Sequence, residues 1–283
     1  MVEQELEQSP LGQRSLYVTS YDPTLLFPIA REPKRQVMGL KDPLPFHGYD
    51  LWTAFELSWL NEKCKPVVAV ADIIIPCNSP NLVESKSFKL YLNSFNNTCF
   101  NSSAEVGKTI SRDLSEIIGS SVEVTLSSPQ EYTNSPPGQF NGFYLDELDI
   151  SCLEYQVNAN LLKAGEGLVK DCTLFSHLLK SNCPVTRQPD WGSVSICYTG
   201  TRIDEASLLR YLVSFRNHNE FHEQCVERIF VDLLAHFNLD ELTVYARYTR
   251  RGGLDINPIR STKVIEPPKN IRLYRQEVEV END

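Results

Sequence analysis

Lys89-Leu90-Tyr91-Leu92-Asn93-Ser94-Phe95 returns later in the chain as Leu209-Arg210-Tyr211-Leu212-Val213-Ser214-Phe215, with Tyr, Leu, Ser and Phe kept at a constant shift of 120. About twenty residues further on, each half carries Asp-Leu at the end of a helical pattern, Asp113-Leu114 and Asp232-Leu233. Each half then enters a strand-like run, Val122 to Leu126 or Leu242 to Ala246. An ordered echo of helix, helix and strand reads as an internal duplication. The β-branched runs Val67 to Ile75 and Ser193 to Tyr198 precede the first helix of each half, so each module is read as strand, helix, helix, strand. Ser79-Pro80 is expected to cap and open the first helix, with Asp204-Glu205 as the matching start in the second half.

The clearest helix spans Glu220 to Phe237, where Phe221, Cys225, Ile229, Leu233 and Phe237, with Val226, Phe230 and Leu234 beside them, form one apolar stripe. Leu242, Val244, Ala246 and Tyr248 alternate with Thr243, Tyr245, Arg247 and Thr249, which suits a sheet covered on one face. These elements predict an α+β fold of two duplicated modules, antiparallel sheets backed by helices. The expected division is an N-terminal extension over 1–42, a first module over 43–150 and a second over 151–283, with Ser127 to Asp149 as connector.

The 283 residues, 41% hydrophobic and 23% charged, describe a folded chain rather than a disordered one. No apolar run approaches membrane-spanning length, and the acidic start Met1-Val2-Glu3-Gln4-Glu5 lacks the pattern of an export signal, so a cytoplasmic protein is expected. Its eight cysteines are then expected to be reduced; they show no CxxC pair and no zinc-ribbon spacing, and no metal is expected. A formal net charge of −10 argues against direct nucleic-acid binding.

Four segments carry candidate chemistry. Ser181-Asn182-Cys183 through Asp190-Trp191-Gly192-Ser193 reads as a polar, two-proline loop between a helical segment, Phe175 to Lys180, and a strand. A packing cysteine sits in an apolar run, as Cys197 and Cys225 do; Cys183 instead sits where a loop would expose it, near Arg187, with Asp190 a turn away. The alternative is an incidental loop thiol. Phe221-His222-Glu223-Gln224 opens the best helix, where His222 would pass protons and Glu223 would accept paired N–H donors, unless Glu220 and Glu223 are simply first-turn acids. Val83-Glu84-Ser85-Lys86-Ser87-Phe88-Lys89-Leu90-Tyr91 is either a functional motif or a solvated basic helix face. Arg250-Arg251-Gly252-Gly253 would make a phosphate clamp, although no GxGxxG or P-loop turn occurs anywhere.

Together these four segments, in their order along the chain, resemble the 7-cyano-7-deazaguanine reductases in their long, two-module form, over about Pro43 to Pro258. The resemblance implies the tunnelling fold, a homodimer, and NADPH-dependent four-electron reduction of a deazaguanine nitrile to a primary amine in queuosine biosynthesis. It implies Cys183 as nucleophile, Asp190 as proton donor and acceptor, and His222 assisting. Val83, Glu84, Ser85, Phe221, His222 and Glu223 would bind the base, and Ser85, Lys86, Arg251 and Gly252 would contact NADPH. Under the shift of 120, His222-Glu223 fall on Ser102-Ser103 and Glu84-Ser85-Lys86 on Asp204-Glu205-Ala206, so a single site built from both modules is expected. Two other readings stand beside it: a zinc hydrolase of the GTP cyclohydrolase type using His222, Cys225 and Cys183, and a non-catalytic purine- or pterin-binding module.

Overall fold

A computed structural model describes residues 18–132 and 138–268. In chain order the first half contains β1 (Pro28–Ala30), α1 (Glu32–Val37), β2 (His47–Leu60), β3 (Pro66–Pro76), β4 (Asn81–Val83), α2 (Ser85–Ser94), α3 (Ser103–Ile118) and β5 (Glu123–Ser127). A connector holds α4 (Pro129–Tyr132) and β6 (Phe143–Tyr144). The second half contains β7 (Ala164–Asn182), β8 (Pro189–Ile203), α5 (Glu205–Ser214), α6 (His222–His236), β9 (Leu239–Tyr248) and β10 (Leu254–Ser261). The class is α+β, as expected.

One eight-stranded sheet runs through both halves in the order β5-β3-β2-β10-β9-β8-β7-β6, antiparallel except where β6 meets β7. Period-two patterning fixes which face is covered: Val194, Ile196 and Tyr198 of β8 and Leu242, Val244 and Ala246 of β9 are buried under α5 and α6. Cys225, Val226, Ile229, Phe230 and Leu233 of α6 fill the same core. Cys197 falls on the other face and is only half-buried, so it is not a core cysteine as expected. Ala71, Ile73 and Ile75 of β3 pack with Phe88, Tyr91, Val106 and Ile110 of α2 and α3 in a second core.

The duplication is visible in side-chain bonds. Tyr91 donates its hydroxyl to Asp113 and Tyr211 donates to Asp232, each at 2.7 Å, joining the two helices of each half in the same way. Ser87 hydroxyl donates to Glu84 O and accepts from Phe27 N–H, while Ser207 hydroxyl donates to Asp204 O and accepts from Lys163 N–H.

Several expectations need correction. Each module has a further long strand before the expected one, β2 in the first half and β7 in the second, and Phe175 to Lys180 is part of β7, not a helix. Ser79 does not cap α2. Its hydroxyl joins Arg31 Nε to Asn81 O, and Glu84 caps the helix through Lys86 N–H and Ser87 N–H at 2.7 Å each. A boundary at 42/43 separates no packing unit, because β1 pairs with β4 and α1 is ion-paired into the second half. Residues 1–17 of the expected extension, 133–137 of the connector and 269–283 of the second module lie outside the described residues.

Candidate active site

The site begins with a hairpin. Strands β7 and β8 pair through Ser181↔Asp190 and Asn182↔Pro189, so the turn over 183–188 closes between them. Cys183 N–H donates to Gln188 O at 2.9 Å and Arg187 N–H to Cys183 O at 3.0 Å. Arg187 takes the left-handed conformation at φ 57, which completes the reversal. The turn therefore brings Cys183 and Asp190, seven residues apart, to one end of the sheet.

Both side chains line a cavity of about 560 Å³, counted with its open mouth. Phe221, His222 and Glu223 enter it from the start of α6, and Thr249 and Arg251 from the β9–β10 turn. The first half supplies Ile29, Trp52, Leu82, Val83 and Ser85 from β1, β2, β4 and the start of α2. Leu254 and Ile256 of β10 complete an apolar wall. The site is thus assembled from both halves of one chain. Ser102, the repeat counterpart of His222, serves as a helix cap, so the first half has a structural residue where the second faces the cavity; Asp204 and its counterpart Glu84 both cap helices.

Asp190 organises the polar side. Its Oδ2 lies 3.4 Å from His222 Nε2 and its Oδ1 lies 3.2 Å from Arg251 Nη1. The His222 ring stacks on Tyr248 with centroids 3.8 Å apart and planes within 5°, which holds the imidazole in place. His222 Nδ1 is buried without a hydrogen-bond partner among the described residues, and so is Trp52 Nε1; a polar ligand would satisfy such groups.

Glu223 is buried, and its carboxyl is pushed up to about 7 by burial and by the nearby Asp50 carboxylate, against the opposing pull of His222 and Arg31. Asp50 itself stays low despite full burial, because Arg260 and Arg31 flank it at 2.8 and 2.6 Å.

Cys183 is buried in the residue sense yet faces the cavity, so the expectation of a loop-exposed thiol is corrected to a thiol reached through a pocket. Its only described link to Arg187 is through the backbone, and the Arg187 side chain is exposed. Glu84 departs further from expectation. It is buried and absent from the cavity lining, with both carboxylate oxygens taken by the N–H groups that open α2. Lys86 and Gly252 also lie outside the lining. Ile29, Trp52, Leu82, Thr249, Leu254 and Ile256 were not anticipated. Ile29 belongs to what read as an extension, and an apolar residue in a strand carries no local mark of lining a pocket.

The zinc arrangement fails on Cys225, whose sulfur is buried in the core 3.9 Å from Glu220 O. Among the described residues no group of three or more His, Cys, Asp or Glu is placed to hold a metal.

Residues 17–126 match the family described as nitrile reductase, 7-cyano-7-deazaguanine-reductase N-term, and residues 189–266 match the family described as QueF-like protein. A NADPH-dependent 7-cyano-7-deazaguanine reductase of Paraburkholderia xenovorans is 56% identical over 272 residues, covering 95% of this chain and 99% of its own. Reductases of the same name from Paracidovorax citrulli and Dechloromonas aromatica are 56% and 57% identical, again over 95% of this chain. With a shared cavity on one side and near full-length identity on the other, the chain belongs to the 7-cyano-7-deazaguanine reductase family.

Proposed function

We propose that this chain reduces the nitrile of 7-cyano-7-deazaguanine to the aminomethyl group with NADPH, in queuosine biosynthesis. The observation that carries this reading is that Cys183, Asp190, His222 and Glu223 line one cavity walled by Ile29, Trp52 and Val83. Apolar walls suit a heteroaromatic base, and a buried carboxylate such as Glu223 suits the paired N–H donors of a guanine-like edge. Glu223 in its ionised form anchors the base, which sets the exocyclic carbon near the hairpin turn.

Cys183 then adds through its thiolate to the nitrile carbon, forming a C–S bond as the nitrogen gains a proton. Asp190 takes the thiol proton and returns it to that nitrogen, so the adduct is a neutral thioimide. His222, held against Tyr248 and 3.4 Å from Asp190, supplies or relays further protons to nitrogen. Sulfur leaves once the carbon is reduced, regenerating Cys183.

Ser85 and Arg251 stand at the cavity, and Lys86 and Gly252 adjoin them in sequence, which fits a phosphate-bearing cofactor. The Arg251 side chain is one-third exposed, so its guanidinium is open to such a ligand while it also flanks Asp190. Bound NADPH supplies hydride, and two equivalents complete the four-electron change.

We place the reaction in the cytoplasm, a reducing compartment that suits eight unpaired cysteines. The working form is a homodimer; β5, an edge strand with exposed and half-buried residues only, offers an edge for a second copy. The net charge of −10 suits a free base rather than a polynucleotide.

Intact mass of the protein mixed with 7-cyano-7-deazaguanine without NADPH tests the chemistry. One adduct per chain, mapped to Cys183 and lost in Cys183→Ala, is expected. Full turnover by Cys183→Ala would overturn the mechanism.

A further inference from the structure

Of the eight cysteines, only Cys64 and Cys99 are exposed. They lie far apart in sequence but meet in the first half, away from the cavity lined by Cys183. Cys64 sits in the turn between β2 and β3, where Asn61 N–H donates to Lys65 O at 3.0 Å and Cys64 N–H donates to Asn61 O at 2.8 Å. The Asn61 side-chain carbonyl also accepts from Lys63 N–H and Lys65 N–H, and Cys64 is held in the left-handed region at φ 57. Cys99 lies in the loop between α2 and α3, bracketed by Leu60: Leu60 N–H donates to Thr98 O, and Phe100 N–H donates to Leu60 O, each at 2.9 Å. Both backbones are therefore fixed from outside the thiols themselves. The Leu60–Cys99 bridge sets Cys99 beside the end of β2 that leads directly into the Cys64 turn, and the two side chains interact.

Unpaired cysteine is among the most buried residue types, so packing does not account for two exposed thiols in contact. The repeat sharpens the point. The Leu60↔Cys99 bridge of the first half corresponds to the Asn182↔Asn219 bridge of the second, so the Cys64 turn stands where the Cys183 turn stands in the other module. One module keeps a single thiol facing a cavity; the other keeps two facing solvent and each other.

We propose that Cys64 and Cys99 form a reversible intramolecular disulfide, a redox-modification site separate from the Cys183 chemistry. The oxidant is a small disulfide of the glutathione class. One protein thiolate attacks it, releasing one small thiol and leaving a mixed disulfide; the second protein thiolate attacks the protein-side sulfur and releases the other small thiol. The two protein thiols lose two electrons and two protons, which the small disulfide takes up as two thiols. The new bond ties the β2–β3 turn to the far end of α2, the helix whose first residue, Ser85, lines the cavity. Such a closure stabilises by restricting the unfolded chain.

The full-length protein, equilibrated in glutathione buffers of stepped potential, alkylated and digested, reads this directly. Cys64 and Cys99 are expected to leave the alkylatable pool together, at one midpoint, as a linked peptide lighter by two hydrogens, and to do so equally in Cys183→Ala. Oxidised protein should melt at higher temperature than reduced protein. Cys64→Ser should abolish that shift, keep the nitrile-reducing activity, and leave Cys99 as a mixed disulfide with glutathione. Separate midpoints with independent glutathione adducts at the two cysteines would overturn the proposal. So would two free thiols under the most oxidising buffer.

Discussion

At the residue scale, roles follow from environment more than from residue type. Asp190 and Glu223 are both buried carboxylates at one cavity, yet Asp190 is flanked by His222 and Arg251 while Glu223 faces Asp50. Asp190→Asn should keep base affinity nearly intact while slowing adduct formation by about 10²–10⁴-fold, the usual range for a lost proton carrier. Stopped-flow measurement of adduct formation separates this from a binding defect, and unchanged kinetics would remove Asp190 from the chemistry. Glu223 makes a pH prediction. Its carboxyl is raised from the ordinary 4.5 to about 7, so in the free protein it is largely neutral below that pH and ionised above it. Only the ionised form accepts both N–H donors of the base. Base affinity should thus be full above pH 7 and weaken by about tenfold for each unit below it. Titration calorimetry across this range should also show proton release on binding near pH 6, and Glu223→Gln should flatten the profile. The sequence drew attention to Cys183, Asp190, His222 and Glu223 through a proline-bounded turn and a helix start, left each open to a plain structural reading, and singled them out by family resemblance. The structure brings all four to one cavity. The capping role of Glu84 went unread, although the repeat pairs it with Asp204, a residue already read as a helix start.

At the element scale, α1, β2, α6 and β10 are joined by ion pairs beneath the cavity. Glu227 of α6 accepts from Arg35 of α1 at 2.6 and 3.0 Å and from Arg260 of β10 at 2.9 and 3.1 Å. Arg31, just before α1, and Arg260 both grip Asp50 of β2. Such a network is weak evidence for net stability, but breaking it leaves buried guanidinium groups short of a counter-charge. Glu227→Gln should therefore destabilise the fold by about 3–5 kcal/mol in urea unfolding. A change under about 1 kcal/mol would mean that solvent reaches the network. Helix α6 itself was legible as a stripe, and Cys225, Ile229 and Leu233 are buried as that stripe requires. The strands β2 and β7 were not legible. Their long runs, His47–Leu60 and Ala164–Asn182, mix polar and apolar residues because the exposed face and the site end obey different demands.

At the scale of the whole molecule, the two halves form a single sheet. Strand β10, from the second half, pairs with β2 of the first over Leu254↔Ala54 to Ser261↔His47. The cores are cross-stitched as well: Phe46 packs edge-on against Phe230 at 5.4 Å, and Leu254 joins the first-half core. The halves should consequently unfold together. Fluorescence of Trp52 and Trp59 in the first half and of Trp191 in the second, read in separate variants, should give coincident denaturation midpoints. Two well-separated transitions would contradict a shared core. The duplicated helices and the α+β class were set by local sequence, since periodicity, caps and turn residues act over a few positions. Which apolar residues wall the cavity, and that residues 28–37 belong to the core, came from tertiary structure alone. Each depends on contacts between segments far apart in the chain, such as β1 with β4 and Arg35 with Glu227, and no local pattern encodes a partner at that distance.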